Sequence, residues 1–228
     1  MTHPAPDLSY CVVTFMDVLG WKGIYARHSD PVGTLQRLVS RVERNCADWG
    51  RGLDAIETPI RVLSVSDTII VIARTTVSGG AAAIDFTGRI CSFALHEALT
   101  QGIPLRGAVA IGQASASESG TIVLGPAVDE AASWHESADW IGVHLAPSAF
   151  LALQELEARH WRTYDVPMKN GQRISTKAAI WKATNAEMSL GFQQLTPIVP
   201  AVSGKLYNTL DYLRNADRDA ESIPPDDS

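Results

Sequence analysis

The sequence feature that most constrains the fold lies at residues 60–75, IRVLSVSDTIIVIART. β-Branched residues favour strands, and a short polar break between two apolar runs is typical of a tight turn. The apolar pattern here breaks only at Ser66-Asp67. The segment therefore predicts a hairpin of two strands, 60–65 and 68–74, with a carboxylate at its turn.

The flanking sequence places this hairpin in an alternating order of strands and helices. Residues 10–17, YCVVTFMD, predict a first buried strand, and apolar residues recur at helical spacing between Val32 and Trp49. An Ala-rich stretch at 81–100 predicts a second helix, and LRGAVAIG at 105–112 predicts a fourth strand. The order is βαββαβ, which predicts an α+β fold with a ferredoxin-like core.

The C-terminal half predicts additions to this core. Helical patterns cover 126–138, 147–159 and 203–216, a strand lies within WIGVHLA, and a hairpin turns at Asn170-Gly171. We expect one catalytic domain over 10–216, with an N-terminal tail at 1–9 and a flexible tail at 217–228.

Composition narrows the class of protein. The 228 residues are 46% hydrophobic and carry a formal charge of −6, which supports a packed domain and argues against nucleic-acid binding. The N-terminal residues do not resemble a secretory signal, and no run reaches the roughly 20 apolar residues that span a bilayer. The expectation is a cytoplasmic protein without membrane contact, whose three isolated cysteines are reduced thiols.

Two carboxylates are predicted to meet on this sheet. With the usual spatial order 4-1-3-2, the first strand runs antiparallel to the third, so Asp17 at the end of one faces Asp67 at the start of the other. Alone, Asp17 reads as a cap and Asp67 as a turn former. Together they repel unless a cation lies between them, and hard oxygen ligands suit Mg²⁺ or Mn²⁺. Gly20, just after Asp17, would allow a phosphate to approach the backbone.

These residues resemble a known family. Phe15-Met16-Asp17-Val18-Leu19-Gly20-Trp21 resembles the first-strand signature of class III nucleotidyl cyclases, and Val65-Ser66-Asp67-Thr68 resembles their metal-binding hairpin. Leu105-Arg106-Gly107 through Gly112, and Gly125-Pro126-Ala127-Val128, follow in the family's order. The resemblance covers about residues 10–182, and it implies a βαββαβ catalytic core and a homodimer with active sites at the subunit interface.

The resemblance also implies roles for individual residues. It implies two ions, Mn²⁺ or Mg²⁺, held by the catalytic carboxylates Asp17 and Asp67 and by the Val18 carbonyl. It further implies a nucleotide-binding set, which comprises Phe15, the backbone amides of Leu19, Gly20 and Trp21, and Lys169. A solvated hairpin lysine is an equal alternative for Lys169.

The chain departs from the family at four positions. Adenylate cyclases of the family read adenine with a Lys and an Asp, where this sequence has Leu63 and Ile122. The Asn and Arg that stabilise the transition state map to Asp129 and Ser133. Arg106 and Arg61 are candidates for the missing positive charge, and Arg106 and Asp129 are candidates for transition-state or base contacts.

The sequence assigns no catalytic or binding role to two further pairs of residues. His135 and His144 lie at no metal-ligand spacing and are expected to be structural. Trp134 and Trp140 could stack on a base, but packing is the expected use.

A compact domain without the adenine-reading pair resembles the pyrimidine cyclases of bacterial anti-phage (Pycsar) systems. That resemblance implies a lyase that converts UTP to 3′,5′-cyclic UMP and pyrophosphate, with a separate effector protein responding to the product. A cytidylate cyclase and a catalytically dead nucleotide-binding module remain alternatives. A diguanylate-type enzyme is ranked last, because the hairpin reads Val-Ser-Asp-Thr and lacks a Gly-Gly-acidic-acidic turn.

Overall fold

The computed structural model describes residues 8–21, 24–26, 28–116, 123–153, 158–193 and 199–221. The strands are β1 (Ser9–Val18), β2 (Glu57–Val65), β3 (Thr68–Arg74), β4 (Leu105–Ala116), β5 (Val123–Leu124), β6 (Gly142–Leu145), β7 (Trp161–Pro167) and β8 (Arg173–Ala179). The α-helices are α1 (Pro31–Gly50), α2 (Gly80–Thr100), α3 (Pro126–His135), α4 (Pro147–Leu153), α5 (Asn185–Gln193) and α6 (Pro200–Glu221).

The strands form one mixed sheet in the order β2-β3-β1-β4-β6-β8-β7, and β5 pairs with the end of β4. β1 is antiparallel to both β3 and β4, whereas β6 is parallel to β4. The predicted 4-1-3-2 order and the hairpin at Ser66-Asp67 are both confirmed. So is the predicted fold class, an α+β βαββαβ core with additional strands and helices towards the C-terminus.

Helices α1 and α2 cover one face of the sheet. α1 begins where the Asp30 side chain accepts a hydrogen bond from the Gly33 amide at 2.9 Å, and Pro31 occupies its first turn. Its apolar stripe, which includes Leu38 and Val42, is fully buried. α2 is buried along most of its length, and its many alanines let it lie close to the strands.

Helix α3 covers part of the opposite face. Ala127, Val128 and Ala131 of α3 pack on a second apolar cluster to which β1, β3 and β4 contribute. α3 lies mainly over β1 and β4, towards one side of this face. The carboxylates predicted to bind metal lie on this same face.

Several element boundaries differ from the sequence-based prediction. β4 continues to Ala116, into a segment predicted to be a linker, and α6 runs from Pro200 to Glu221 rather than over 203–216. The helix predicted at 126–138 ends at His135, because the residues that follow pair with the β7–β8 turn. Of the helix predicted at 147–159, the structure shows Pro147–Leu153, and residues 154–157 lie outside the described part.

Helix α5 was not predicted, although the sequence contains its start signal. The Glu187 amide donates to Thr184 Oγ1 at 3.2 Å, and Glu187 Oε2 accepts from the Thr184 amide at 2.7 Å. This reciprocal pair is a capping box, encoded by Thr-Asn-Ala-Glu. None of the helices in the described part of the chain is long and apolar enough to cross a membrane.

The crowding around Gly107 gives a first prediction. A Cβ at this position of β4 would lie inside the van der Waals distance of the Phe15 carbonyl oxygen and 3.1 Å from side-chain carbons of Met16 and Val143. We expect Gly107→Ala to destabilise the protein by more than about 2 kcal/mol, which corresponds to a fall in Tm of about 4–8 °C.

Gly52→Ala is the matched control for this measurement. Gly52 has φ 83°, but no atom lies within 4 Å of the methyl group that alanine would add, so only backbone strain of about 1–2 kcal/mol is expected. Thermal unfolding of the two variants by circular dichroism compares them. Equal losses would contradict the close approach of β1 and β4 at Gly107.

Candidate functional site

The register of the central strands brings Asp17 between two partners. Asp17 lies opposite Thr68 on β3 and opposite Arg106 on β4. Residues that pair directly across antiparallel strands project to the same face of the sheet. The end of β1 therefore presents a carboxylate with a hydroxyl on one side and a guanidinium on the other.

Arg106 holds one oxygen of Asp17. Its Nη2 donates to Asp17 Oδ2 at 3.2 Å, and its Nη1 donates to the Glu136 carbonyl at 3.3 Å. Both side chains are largely enclosed, with 10% of Arg106 and 14% of Asp17 exposed. Arg106 Nε is buried and finds no hydrogen-bond partner among the described residues. The Nε–H of this guanidinium is therefore a donor without an acceptor in the described part of the chain.

Asp67 lies beside this pair, at the turn of the β2–β3 hairpin. Its carbonyl accepts a hydrogen bond from the Val18 amide at 3.1 Å, which joins the turn to the end of β1. Ser66 Oγ donates to Asp67 Oδ1 at 2.9 Å, and Ser66 has the left-handed φ of 58° that closes the turn. The predicted neighbourhood of Asp17 and Asp67 therefore has a direct backbone connection.

Electrostatics at Asp17 favour a cation. Burial raises the pKa of Asp17, the nearby Asp67 carboxylate raises it further, and Arg106 only partly offsets both. Two oxygen donors of this kind suit a hard divalent ion. In the described part of the chain no group of three or more His, Cys, Asp or Glu side chains is placed to hold a metal, so an ion here would complete its shell with carbonyl, water or substrate oxygens.

The turn after β1 supports only part of the predicted phosphate cradle. The Leu19 amide donates to the Pro104 carbonyl at 2.8 Å, so it is not available to a ligand, contrary to the sequence-based expectation. Gly20 has φ 75°, a conformation that residues with a side chain rarely adopt. Trp21 is half-buried against the main core. For the amides of Gly20 and Trp21, phosphate binding stays a prediction.

A row of apolar side chains lies next to the carboxylates. Leu63, Ile70 and Phe15 pair in sequence across β2, β3 and β1, two residues from Asp17 and hence about 7 Å along the strands. The Phe15 ring packs against His135, with 5.6 Å between ring centroids. Phe15 and Ile70 are buried, whereas Leu63 is partly exposed, so Leu63 is the member of this row that a ligand could reach.

Lys169 lies near Arg106 and is held by the residues that follow α3. Its amide donates to the Ser137 carbonyl at 2.8 Å, and Ala138 pairs with Met168. Partial burial and the nearby Arg106 guanidinium lower the pKa of the Lys169 side chain. Residues 136–139 thus contact both Arg106 and the turn that carries Lys169, and we call them the 136–139 segment.

Asp129, Ser133 and Arg61 are not brought to the carboxylates within one chain. Asp129 is exposed in the first turn of α3, about 9 Å along the axis from His135, and Ser133 Oγ donates to the Asp129 carbonyl at 2.7 Å. Arg61 lies in register with Ile72, about 13 Å along the strands from Asp17. Of the two candidate cations, Arg106 is the one beside Asp17. Ile122 lies outside the described residues.

The aromatic and histidine residues have mostly structural roles. Trp140 is fully buried among Tyr164 and Tyr212, which excludes base stacking by this ring and agrees with the expected packing role. Burial lowers the pKa of His144 to about 4, so this ring is neutral near pH 7. The three cysteines are buried free thiols, as predicted.

Sequence reasoning missed three residues around the site. His135 contacts Phe15 and lies close enough to Asp17 to lower its pKa, Asp139 ends the 136–139 segment, and Lys205 of α6 forms an ion pair with Asp139 at 2.7 Å. No local pattern indicated the last pair, because its members are separated by 66 residues.

Comparison with known proteins supports the fold. The chain matches no protein-family model and no curated protein. Solved structures do match it. The adenylyl cyclase CyaB from P. aeruginosa aligns with a TM-score of 0.54 and 11% identity, over 78% of this chain and 96% of that one.

Two guanylyl cyclase structures match equally well. The catalytic core of a rhodopsin-guanylyl cyclase with converted specificity, in complex with ATPαS, aligns with a TM-score of 0.53 and 16% identity over 76% of this chain and 96% of that chain. The monomeric guanylyl cyclase domain of RhoGC from the aquatic fungus Blastocladiella emersonii gives 0.53 and 15%, over 76% and 95%. The chain therefore has the fold of class III nucleotidyl cyclase catalytic domains.

The repulsion between Asp17 and Asp67 gives a second prediction. In metal-free buffer near pH 7, Asp67→Asn should raise the Tm by about 2–4 °C, equivalent to about 1 kcal/mol, because it removes one cause of the raised Asp17 pKa. A raised carboxyl pKa costs stability as pH rises through it. The gain should therefore be small near pH 4 and full near pH 7.

Differential scanning fluorimetry with EDTA or Mn²⁺ measures both effects. Mn²⁺ should stabilise the wild type and have little effect on Asp67→Asn. Asp54→Asn, at an exposed carboxylate outside the site, serves as the control and should behave like the wild type. A lower Tm of Asp67→Asn at pH 7 in EDTA would contradict the repulsion.

Proposed function

We propose that this protein is a metal-dependent nucleotidyl cyclase that converts UTP to 3′,5′-cyclic UMP and pyrophosphate as a messenger in anti-phage defence. The observation that carries the proposal is the adjacency of Asp17 and Asp67 on the central strands of a nucleotidyl cyclase fold. The resemblance of the residues around both carboxylates to the cyclase motifs supports the same reaction.

Asp17, Asp67 and the Val18 carbonyl would hold two Mn²⁺ or Mg²⁺ ions. When bound, such ions lower the pKa of the ribose 3′-hydroxyl and stabilise negative charge on the leaving pyrophosphate. The protein supplies the geometry: the Val18 amide joins β1 to the hairpin turn, which keeps the backbones of Asp17 and Asp67 close together. Asp17 is poised for a cation because burial and Asp67 both disfavour its charged form when it stands alone.

The remaining residues would bind the triphosphate and orient it. Arg106 presents positive charge beside Asp17, Lys169 lies near Arg106, and Gly20 adopts a left-handed conformation just after β1. The 3′ oxygen bonds to the α-phosphorus while the bond from that phosphorus to the bridging oxygen breaks. Pyrophosphate leaves, and the hydroxyl proton passes to solvent. Positive charge from Arg106 would stabilise the transition state in place of the family's Arg, which is Ser133 here.

The substitution at Leu63 supports a substrate other than ATP. The Lys that reads adenine in the family is absent at this position, and Leu63 cannot donate a hydrogen bond to a base. UTP is favoured over CTP by the resemblance alone, because O4 and N4 differ only as acceptor and donor. A cytidylate cyclase is therefore the nearest alternative.

The proposal includes a homodimer with active sites at the interface. Asp129 and Ser133 lie on α3 away from the carboxylates of their own chain, so any contact of theirs with substrate requires a second copy. We also propose that the product acts on a separate cyclic-nucleotide-responsive effector. The formal charge of −6 supports a small anionic substrate bound by a local cluster rather than a nucleic acid.

A catalytically dead nucleotide-binding module is the second candidate function. The observation that favours it is the replacement of both transition-state residues, by an exposed Asp129 and by a Ser133 whose hydroxyl bonds to its own helix. Such a module would gain thermal stability from nucleotide without turning it over.

Turnover of the four nucleoside triphosphates separates these functions. With Mn²⁺, we expect cyclic UMP as the main product, cyclic CMP as a minor one, and little cyclic AMP or GMP, as measured by mass spectrometry. Asp17→Ala and Asp67→Ala should each lower kcat/KM by about 100-fold or more, since several kcal/mol of charge stabilisation are lost.

Asp54→Asn is again the control and should retain wild-type turnover. Absence of any cyclic product with the folded wild type, or full activity in Asp17→Ala, would refute the cyclase proposal. Binding of nucleotide without product would favour the dead module.

A further inference from the structure

The 136–139 segment links the carboxylate site to the C-terminal helix. At one end, the Glu136 carbonyl accepts from Arg106, whose other arm binds Asp17. Along its length it pairs with the β7–β8 turn that carries Lys169. Its last residue, Asp139, is where α6 is attached.

Asp139 has contacts with both the turn and the helix. Its amide donates to the Pro167 carbonyl at 2.8 Å, just before Lys169 in the turn. Its carboxylate accepts from Lys205 Nζ at 2.7 Å, and its carbonyl accepts from Asn208 Nδ2 at 2.8 Å. Lys205 and Asp139 are 18% and 25% exposed, so water screens this ion pair only in part. Asp139 thus connects α6 to the turn through one residue.

The docking of α6 does not depend on this ion pair alone. Thr209 and Tyr212 are fully buried, the Ile141 amide donates to Thr209 Oγ1 at 2.9 Å, and the Tyr212 hydroxyl donates to the Ala179 carbonyl at 2.5 Å. The helix should therefore stay docked when Lys205 loses its charge. The loss of charge would instead remove the ion pair that fixes the Asp139 carboxylate.

The charges around Lys169 indicate which kind of ligand the Lys205–Asp139 ion pair could help to bind. Arg106 and Lys205 both lie near enough to lower the pKa of Lys169, while Glu136 and Asp139 act in the opposite direction. Cations from β4, the β7–β8 turn and α6 thus cluster around Lys169, and Arg106 joins this cluster to Asp17. An anion with several charges is the chemistry that such a cluster recognises.

We propose that α6 is a positioning element for triphosphate binding, in which Lys205 fixes Asp139 and thereby the placement of Lys169. The inference rests on the proposed function, because it assigns Lys169 to the phosphates of the substrate. Lys205 and Asp139 are positioning residues that act through Lys169. A change in the position of α6 would therefore alter the affinity for substrate more than the rate of the chemical step.

Binding and turnover of Lys205→Met test this inference. With Mg²⁺ in excess, we expect the Kd for inorganic tripolyphosphate, measured by calorimetry, and the KM for the preferred nucleotide to rise by about 3–10-fold, with kcat within about twofold of wild type. Asp139→Asn keeps the backbone contacts of Asp139 and should give the same shift. Lys205→Arg should restore most of the affinity, and Lys182→Met, at an exposed lysine elsewhere, should change nothing.

A double-mutant cycle separates positioning from general destabilisation. If Lys205 acts through Lys169, adding Lys205→Met to Lys169→Met should change the Kd for tripolyphosphate by less than about twofold. A loss that persists in full on the Lys169→Met background overturns the proposal. So does a wild-type Kd in folded Lys205→Met or, should that variant not fold, in Asp139→Asn.

Calorimetry with tripolyphosphate also distinguishes a failure of the cyclase proposal from a failure of the proposed role of α6. If the wild type binds tripolyphosphate but cyclises no nucleotide, the cyclase proposal fails, while the Kd values still decide the role of α6. If the wild type binds neither tripolyphosphate nor nucleotide, both proposals are overturned.

Discussion

The structure depends on the antiparallel pairing of β1 between β3 and β4. This register places Asp17 opposite Thr68 and Arg106, and it brings the hairpin turn with Asp67 to the end of the same strand. A shift of one residue would turn every side chain of β1 to the other face and separate the carboxylates. Such a shift would also move Asp17 to the face of β1 that carries Met16 and Val18 in the main core, where a buried carboxylate is costly, so core packing helps to specify the site.

The site is divided between parts of the chain that fold differently. The carboxylates lie on the central sheet, whereas the cations come from β4, the β7–β8 turn and α6, joined through the 136–139 segment. The half that carries the carboxylates is thus held by strand register, and the half that carries the cations by hydrogen bonds to a four-residue connection.

The sequence predicted the half of the site that carries the carboxylates. It missed much of the half that carries the cations, and the reason is physical. Strand character and the turn at Ser66-Asp67 are local signals, and the strand order follows from topology rules, so the meeting of Asp17 and Asp67 could be inferred. The capping box at Thr184 was also local and could have been read. The Leu19–Pro104 hydrogen bond and the Lys205–Asp139 pair depend on tertiary packing, which leaves no periodic trace in the sequence.

The energetics of Asp17 argue that the site serves a ligand. The residues that precede it on the same face of β1, Val13 and Phe15, are apolar and buried, and an apolar residue or Asn at its place would avoid the raised pKa that burial and Asp67 produce. Arg106 compensates one oxygen, at the cost of burying a guanidinium whose Nε finds no partner among the described residues. A sequence selected for stability alone would not retain this arrangement. In the proposed function, a divalent cation would relieve the repulsion between the carboxylates, which is the energetic reason for keeping two acidic residues here.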